Sequence, residues 1–151
     1  MNDRVFVDTN VLVYAYDRSD PEKQRRALQV LDRLAITGAG MISAQVLSEF
    51  FVAVTRKIVA PLSVDEACDR VKNYLQSWAV VDVTGMIVLE ATSGVRDHEF
   101  NFWDGQIWAA ARLNQTSVIF TEDFNIGAVT EGVRFVNPFA DDFQLEDWLR
   151  S

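Results

Sequence analysis

The chain has 151 residues, of which 49% are hydrophobic and 24% charged, values typical of a folded globular protein. The formal net charge of −8 argues against broad electrostatic adhesion to DNA or anionic lipid, but is compatible with a nucleic acid held at one metal-filled site. Every apolar run is shorter than the about 18 residues of a membrane helix, and one cysteine excludes an internal disulfide. With no signal-peptide pattern at the start, we expect a single cytoplasmic domain over residues 1–151.

Short strands and longer helices alternate along the chain. In chain order the predicted elements are strand 4–8, helix 9–17, helix 20–37, strand 40–43, helix 44–57, helix 63–78, strand 79–83, helix 85–98, helix 102–115, strand 117–123, strand 133–136 and a tail over 138–151 with a short helix. Asp20 and Pro21 mark one helix start, and Ser63 with Glu66 predicts a capping box at another. The strands are continuous apolar runs, typical of a parallel sheet covered on both faces. The sequence therefore predicts a three-layer α/β fold.

The one cysteine lies on a predicted apolar stripe of helix 63–78. Val64, Ala67, Val71 and Leu75 share that stripe with Cys68 at helical spacing. Free cysteine packs as a small apolar side chain, so we expect a buried and unreactive thiol.

The tail combines acidic residues with large apolar ones. The apolar members are Phe139, Phe143, Leu145, Trp148 and Leu149. We expect its short helix to dock these side chains on the body of the domain or on a second subunit.

The first strand ends in a carboxylate, Asp8. In parallel α/β sheets the working sites lie outside the carboxyl ends of the strands, and Glu122 and Asp123 close another predicted strand in the same way. Asp is also a favoured N-cap, so capping of the helix that follows explains Asp8 equally well when that residue is considered alone.

Two further carboxylates lie on apolar helix faces. Glu49 lies in the apolar middle of helix 44–57, and Asp104 lines up with Ile107 and Trp108 on the inward stripe of helix 102–115. A carboxylate on such a face is costly unless something pairs with it. Asp104 also lies in the first turn of its helix, where the helix dipole favours a negative charge. Stabilisation of the helix start is therefore the alternative explanation of Asp104.

Convergence of these acids would create a cation site. If Asp8, Glu49, Asp104 and Asp123 meet, their repulsion is relieved only by protonating some of them or by binding a cation. An all-oxygen set suits Mg²⁺ or Mn²⁺, whereas Zn²⁺ prefers histidine and cysteine ligands, which are scarce in this chain. Glu122, next to Asp123, is a fifth ligand candidate.

Four segments carry these acids and their neighbours. They are FVDTNVLVYAYD near the start, SAQVLSEFFVAVTRK near residue 50, FNFWDGQIWAAA near residue 104 and IFTEDFNIGAVTEGVRFVNPF near the end. In this order and spacing, over nearly the whole chain, they resemble the PIN-domain family, in particular its VapC-like branch, the ribonuclease toxins of bacterial toxin–antitoxin pairs. Asn101 and Gly105 depart from the residues common in that branch, but neither change removes a ligand.

The resemblance implies a fold, an activity and partners. The fold is a Rossmann-like parallel sheet of five strands in the order 3-2-1-4-5, flanked by helices, in a protein that is usually a homodimer. The activity is metal-dependent endoribonuclease cleavage of RNA phosphodiester bonds with Mg²⁺ or Mn²⁺, and the protein partner is a small basic antitoxin. Carried over position by position, the acidic catalytic and metal-binding set falls on Asp8, Glu49, Asp104 and Asp123. The polar residues that orient these carboxylates in the family match Thr9, Asn10 and Thr121.

The same residues do not meet the requirements of two other α/β protein classes. A receiver domain needs an acidic pair after the first strand, and a haloacid-dehalogenase-type phosphatase needs Asp-x-Asp, where this chain has Asp8 followed by Thr9 and Asn10. A non-catalytic RNA-binding or scaffold domain of the same fold is the alternative that the acids alone do not eliminate. We expect His98 to be a helix-end residue and not a general base, while Trp103 is open to either RNA base stacking or packing.

Overall fold

The computed structural model of the protein describes residues 4–149. Its strands are β1 (Val5–Val7), β2 (Gly40–Ser43), β3 (Ala79–Val81), β4 (Val118–Phe120), β5 (Val129–Thr130) and β6 (Val133–Val136). Its α-helices are α1 (Thr9–Tyr14), α2 (Pro21–Thr37), α3 (Ala44–Arg56), α4 (Val64–Ser77), α5 (Gly85–His98) and α6 (Phe102–Leu113), and a 3-10 helix covers Leu145–Asp147. No helix within residues 4–149 has both the length and the apolar character needed to cross a membrane.

The six strands form one sheet in the order β3-β2-β1-β4-β6-β5. All neighbouring pairs are parallel except β5 with β6. The predicted α/β fold with a helix-flanked, mostly parallel sheet is confirmed, and its five parallel strands follow the implied order 3-2-1-4-5. The central strand β1 is fully buried, as its continuous apolar run requires.

The sequence patterns do not predict the short edge strand β5. It forms a hairpin with β6 through a two-residue loop, Glu131 and Gly132. Both loop residues have positive φ, 47° and 85°, as a type I′ turn requires. The Glu-Gly pair is a weak signal for such a turn because a non-glycine residue rarely adopts positive φ.

The helix starts follow the predicted signals. The side chain of Asp20 accepts a hydrogen bond from the backbone N–H of Lys23, and Pro21 occupies the first turn of α2. The predicted capping box of Ser63 and Glu66 starts α4. These starts are set by local hydrogen bonds, which is why they can be predicted from sequence alone.

The prediction of a buried thiol is wrong, because Cys68 is exposed. α4 buries Ala67 fully and Val71 partly, whereas Val64 and Leu75 are 61% and 58% exposed. α4 lies at the outer part of the fold against α3 and β3. A narrow stripe of the helix is therefore covered, and the flank that carries Cys68 faces solvent.

The tail docks on the body of the same chain. Its apolar side chains are partly buried against the core: Phe139, Phe143, Leu145, Trp148 and Leu149. Phe143 packs edge-on against Phe120 of β4, with ring centroids 5.3 Å apart, and a guanidinium N–H of Arg26 donates to the carbonyl oxygen of Pro138 at 2.6 Å. The predicted tail runs to residue 151, and its last two positions lie outside the described residues.

Candidate active site

Parallel pairing brings the ends of β1 and β4 together at the carboxyl edge of the sheet. Val7 pairs with Phe120, and the backbone N–H of Asp8 donates to the carbonyl oxygen of Phe120 at 2.9 Å. The Thr121 hydroxyl then donates to Asp8 Oδ2 at 2.8 Å. Asp8 Oδ1 accepts from the backbone N–H of Thr9 at 2.7 Å and so caps α1. Asp8 thus has both roles that the sequence left open, the helix cap and the strand-end carboxylate.

Asn10 connects the two aspartates of this edge. Its Nδ2 donates to Asp123 Oδ2 at 2.9 Å and lies 3.4 Å from Asp8 Oδ2 and 3.3 Å from Thr121 Oγ1. Asp123 is held from a second side, since its backbone N–H donates to Thr121 Oγ1 at 3.1 Å. One hydrogen-bond network therefore joins Asp8 and Asn10 to Thr121 and Asp123, more than a hundred residues away along the chain.

Glu49 reaches the same edge from α3. Ser43 ends β2 and caps α3, which starts this helix beside β1. Glu49 Oε1 accepts from the Thr9 hydroxyl at 2.8 Å, and Glu49 Oε2 accepts from Gln45 Nε2 at 3.2 Å. Because Thr9 directly follows Asp8, this contact fixes Glu49 next to the end of β1.

Asp104 approaches from the first turn of α6. Asn101 caps this helix by accepting from the Asp104 backbone N–H at 2.9 Å, and its Nδ2 donates to Asp104 Oδ2 at 2.8 Å. Gly105 allows close contact with α5, since a Cβ at this position would lie 3.1 Å from the carbonyl oxygen of Ala91. Trp108, on the predicted inward stripe, is fully buried and anchors the helix.

Burial and mutual repulsion raise the pKa values of two of these acids. Burial raises the pKa of Asp8 from 3.8 to about 7, against the opposing hydrogen bonds from Thr121 and Thr9, and the negative charges of Asp104 and Asp123 raise it further. Burial likewise raises the pKa of Asp104, with added repulsion from Asp123 and Glu49, while the hydrogen bond from Asn101 opposes the rise. The four acids therefore share one electrostatic environment.

Among the described residues, no basic side chain neutralises this group. Within residues 4–149, none of Asp8, Glu49, Asp104 and Asp123 takes part in a salt bridge. Their carboxylates are held by neutral hydroxyl, amide and backbone donors. Such donors orient a carboxylate without cancelling its charge.

The donor chemistry of the site fits a hard divalent cation. Asn10 Oδ1 is buried and has no hydrogen-bond partner among the described residues, a costly arrangement for an amide oxygen. Carboxylate and amide oxygens are the ligands that Mg²⁺ and Mn²⁺ prefer. As the side chains stand, no three His, Cys, Asp or Glu side chains in the described part of the chain are grouped closely enough to hold an ion. Coordination by three of the acids would therefore require side-chain rotations away from their present donors.

The fifth candidate, Glu122, points elsewhere. Its carboxylate forms a salt bridge with Lys23 of α2 at 2.7 Å and accepts a hydrogen bond from the Tyr14 hydroxyl. The Lys23 ammonium also lies 4.7 Å from the centre of the Tyr14 ring. The structure thus does not bring Glu122 together with the other acids.

Two buried amides at the site, Gln45 and Gln106, are not predicted by the sequence motifs. Gln45 and Gln106 are each less than a tenth exposed, and Gln106 Nε2 donates to Gln45 Oε1 at 2.8 Å. Gln45 in turn holds Glu49 and the backbone carbonyl oxygen of Trp103, the latter at 3.0 Å. Gln106 is a lone polar residue on an apolar helix face, and that pattern is the signal that could have identified it, whereas Gln45 shares its face with Ser48 and Glu49.

His98 is packed and paired, whereas Trp103 is exposed. His98 ends α5, with Nε2 at 2.7 Å from Glu131 Oε2 and its ring packed edge-on against Trp108, so its expected helix-end role is confirmed. Trp103 is 60% exposed at the first turn of α6, next to Asp104. Packing therefore does not account for Trp103.

Comparison with known proteins identifies the fold family. The profile of the PIN domain matches residues 5–132. VapC20 from Mycobacterium tuberculosis, described as a sarcin–ricin loop cleaving toxin, superimposes with a TM-score of 0.63 at 20% identity, over 80% of this chain and 91% of that one. A toxin–antitoxin complex from Klebsiella pneumoniae gives a TM-score of 0.66 at 19% identity, over 89% and 97% of the two chains. DNA-bound VapBC from Salmonella typhimurium gives 0.63 at 14% identity, over 89% and 98%.

These structural identities are low, so the likeness to solved structures shows the fold alone. No curated protein matches the chain. The PIN profile, however, spans most of the chain and includes the four acids of the candidate site. This protein therefore belongs to the PIN-domain family.

Proposed function

We propose that this protein is an endoribonuclease that requires Mg²⁺ or Mn²⁺ and acts in the cytoplasm as the toxin of a toxin–antitoxin pair. The observation that carries the proposal is the group of four acids at the carboxyl edge of the sheet, none of which is paired with a basic side chain within residues 4–149. Membership of the PIN-domain family supports a nuclease. The VapC20 neighbour, a toxin that cleaves the sarcin–ricin loop, supports RNA as the substrate.

Asp8, Glu49, Asp104 and Asp123 would hold the cation. A bound Mg²⁺ or Mn²⁺ lowers the pKa of a water molecule and neutralises charge on the departing oxygen. Burial and the charges of Asp104 and Asp123 raise the pKa of Asp8, so a bound cation would favour its ionised carboxylate.

The polar neighbours would keep the carboxylates oriented. The Thr9 hydroxyl holds Glu49, and the Thr121 hydroxyl holds Asp8. Asn10 Nδ2 holds Asp123, while its buried Oδ1 has no hydrogen-bond partner among the described residues. Such neighbours typically change metal affinity or activity by about 10–100-fold when they are removed.

The chemistry predicts the products. Attack by water on the RNA phosphate leaves 5′-phosphate and 3′-hydroxyl ends, whereas attack by a ribose 2′-hydroxyl leaves a 2′,3′-cyclic phosphate. The site supplies several carboxylates and no histidine close to them, which favours attack by water.

The test is incubation with total RNA in Mg²⁺ or Mn²⁺, in EDTA, and with Asp8→Asn in metal. We expect metal-dependent cleavage with 5′-phosphate ends, and loss of more than about a hundredfold in rate for Asp8→Asn, since even an orienting neighbour is worth about 10–100-fold. Cyclic phosphate products, or cleavage in EDTA, would contradict the mechanism. RNA binding without cleavage would favour the alternative, a non-catalytic RNA-binding or scaffold domain.

We extend the proposal to a small basic antitoxin and to a homodimer. The formal charge of −8 favours a basic partner, and the Klebsiella and Salmonella neighbours are toxin–antitoxin complexes. An Arg or Lys from the partner that reaches the acids would compete with the cation for them. Titration with the cognate antitoxin should abolish nuclease activity, and light scattering should give the mass of two chains. Unchanged activity with bound antitoxin, or a monomeric mass, would contradict the respective claim.

A further inference from the structure

A cavity of about 480 Å³ lies beside the acids, on the side of Glu49. Its lining comes from the start of α3, the start of α6 and the loop after β3: Ala44, Gln45, Ser48, Glu49, Val83, Trp103 and Gln106. Its volume is within the usual range of small-ligand sites, about 300–1,000 Å³. We call this cavity the amide pocket after Gln45 and Gln106.

A chain of hydrogen bonds fixes which way the two amides point. The Glu49 carboxylate can only accept, so Gln45 must turn its Nε2 toward it. Gln45 Oε1 then faces Gln106, which must turn its own Nε2 toward Gln45. Gln106 Oε1 is left as the outer end of the chain, with no hydrogen-bond donor to it among residues 4–149. Unlike Asn10 Oδ1, it does not count among the buried atoms that lack a partner, and Gln106 lines the amide pocket.

Trp103 supplies the other half of the amide pocket. Its backbone is fixed, because its carbonyl oxygen accepts from Gln45 Nε2 at 3.0 Å. The Trp103 ring packs edge-on against the ring of Phe102, with ring centroids 5.1 Å apart, and Trp103 is still 60% exposed. An exposed indole ring on a held backbone, next to an amide acceptor, suits a nucleobase by stacking and by an edge hydrogen bond.

We propose that the amide pocket binds an unstacked base of single-stranded RNA adjacent to the scissile phosphate, and that it prefers a base with an exocyclic amino group. This inference rests on the proposed ribonuclease function, because the pocket shares Glu49 with the acid site. Gln106 Oε1 is an acceptor and therefore matches the amino groups of adenine, cytosine and guanine. Uracil lacks an exocyclic amino group and offers this acceptor only its ring N3–H, so it is disfavoured.

The first experiment measures cleavage of a randomised single-stranded RNA pool, with the base at each position around the cut read by sequencing. Trp103→Ala should lower kcat/KM roughly tenfold on all sequences, because base–aromatic stacking is lost, and Trp103→Phe should retain most of it. Gln106→Met should cleave but lose the preference of about fivefold for an amino base at one position. Leu89→Ala on α5, 59% exposed in the wild type, is the matched surface control and should behave as wild type. If the wild type cleaves and the Trp103 and Gln106 variants keep its rate and base preference, the pocket assignment is wrong and the ribonuclease function stands.

The second experiment separates the pocket from the chemistry. Fluorescence anisotropy in EDTA measures binding of oligoadenylate, oligocytidylate and oligouridylate to the full chain carrying Asp8→Asn, with and without Trp103→Ala. We expect oligoadenylate and oligocytidylate to bind more tightly than oligouridylate, and Trp103→Ala to weaken both roughly tenfold. This result supports the pocket, and if the wild type in Mg²⁺ or Mn²⁺ cleaves none of the RNAs of the first experiment, the nuclease is overturned while the pocket stands. Equal binding of all three oligonucleotides, unaffected by Trp103→Ala, would overturn the pocket.

Discussion

Glu122 and Asp123 are neighbours in the chain, yet they lie in opposite electrostatic surroundings. Glu122 turns toward α2, where Lys23 neutralises it at 2.7 Å and Tyr14 donates a hydrogen bond to it. Asp123 turns toward Asn10, a neutral donor at 2.9 Å, and adds its charge to those of Asp8 and Asp104. The charge of Glu122 is neutralised by a salt bridge, whereas Asp123 has no salt bridge within residues 4–149.

This difference in charge pairing separates acids that stabilise the fold from acids that are available to a ligand. A paired carboxylate has little to gain from a cation, because its charge is already compensated. A group of unpaired acids, of which Asp8 is buried and Glu49 and Asp104 are half-buried, raises the free energy of the folded state until protons or metal ions bind. The following predictions test this contrast, from the largest expected effect to the smallest.

The largest effect is expected in the pH dependence of folding without metal. The pKa of Asp8 is raised to about 7 in the folded state, from an ordinary 3.8, so the folded state holds the proton more tightly than the unfolded state. The stability from this group is therefore present below pH 3.8 and is lost as the pH rises through about 7. From pH 4 to pH 8 the free energy of unfolding of the wild type in EDTA should fall, relative to Asp8→Asn, by roughly 4 kcal/mol.

Urea denaturation of both proteins across this pH range measures the difference. Glu122→Gln serves as the control, and its profile should stay parallel to that of the wild type. A constant difference between wild type and Asp8→Asn from pH 4 to pH 8 would show that Asp8 is not an uncompensated buried acid.

The next effect is stabilisation by the cation. At pH 8, Mg²⁺ or Mn²⁺ at about 100 times its dissociation constant should raise the free energy of unfolding of the wild type by about 2.7 kcal/mol. Asp104→Asn and Asp123→Asn should lose most of this gain, and Glu122→Gln should keep it. Thermal melting with and without metal gives the result, and equal gains in all four proteins would contradict the assignment of the acids.

A smaller effect is expected for Thr9, which orients Glu49 through a hydroxyl hydrogen bond of 2.8 Å. Thr9→Val keeps the shape but removes the donor, and should lower metal affinity and RNA cleavage by about 10-fold or more. Thr9→Ser keeps the hydroxyl and is the matched control. Wild-type behaviour of Thr9→Val together with a loss in Thr9→Ser would indicate that packing of the methyl group, not the hydrogen bond, is what matters.

The smallest effect is expected for the salt bridge between Lys23 and Glu122. The side chains of Lys23 and Glu122 are 34% and 20% exposed, so the pair should contribute little to stability, on the order of 1 kcal/mol or less. Glu122→Gln should thus lower the melting temperature slightly and leave the rate of RNA cleavage unchanged. A loss of cleavage comparable to that of Asp123→Asn would make Glu122 a ligand after all and remove the contrast between the two residues.

Local chemistry made much of the fold predictable. The caps at Asp20 and Ser63 depend on residues within one turn, and the continuous apolar runs of the parallel strands reflect burial on both faces. The four acids stood out by their places at strand ends and on apolar helix faces, and the resemblance carried by their flanking motifs implied the same set. Their identity as ligands is still a prediction that the experiments above address.

What sequence alone determined is the alternation of elements, the sheet class and the occurrence of acids at strand ends and on apolar helix faces. Only the tertiary structure decided that Glu122 pairs with Lys23 while Asp123 faces Asn10, because two adjacent side chains point in different directions and their partners lie about a hundred residues away along the chain. It also decided that Cys68 is exposed, since a helical stripe is buried only as far as a neighbouring element covers it. Burial and charge compensation are properties of packed neighbours, and those neighbours are chosen by the fold.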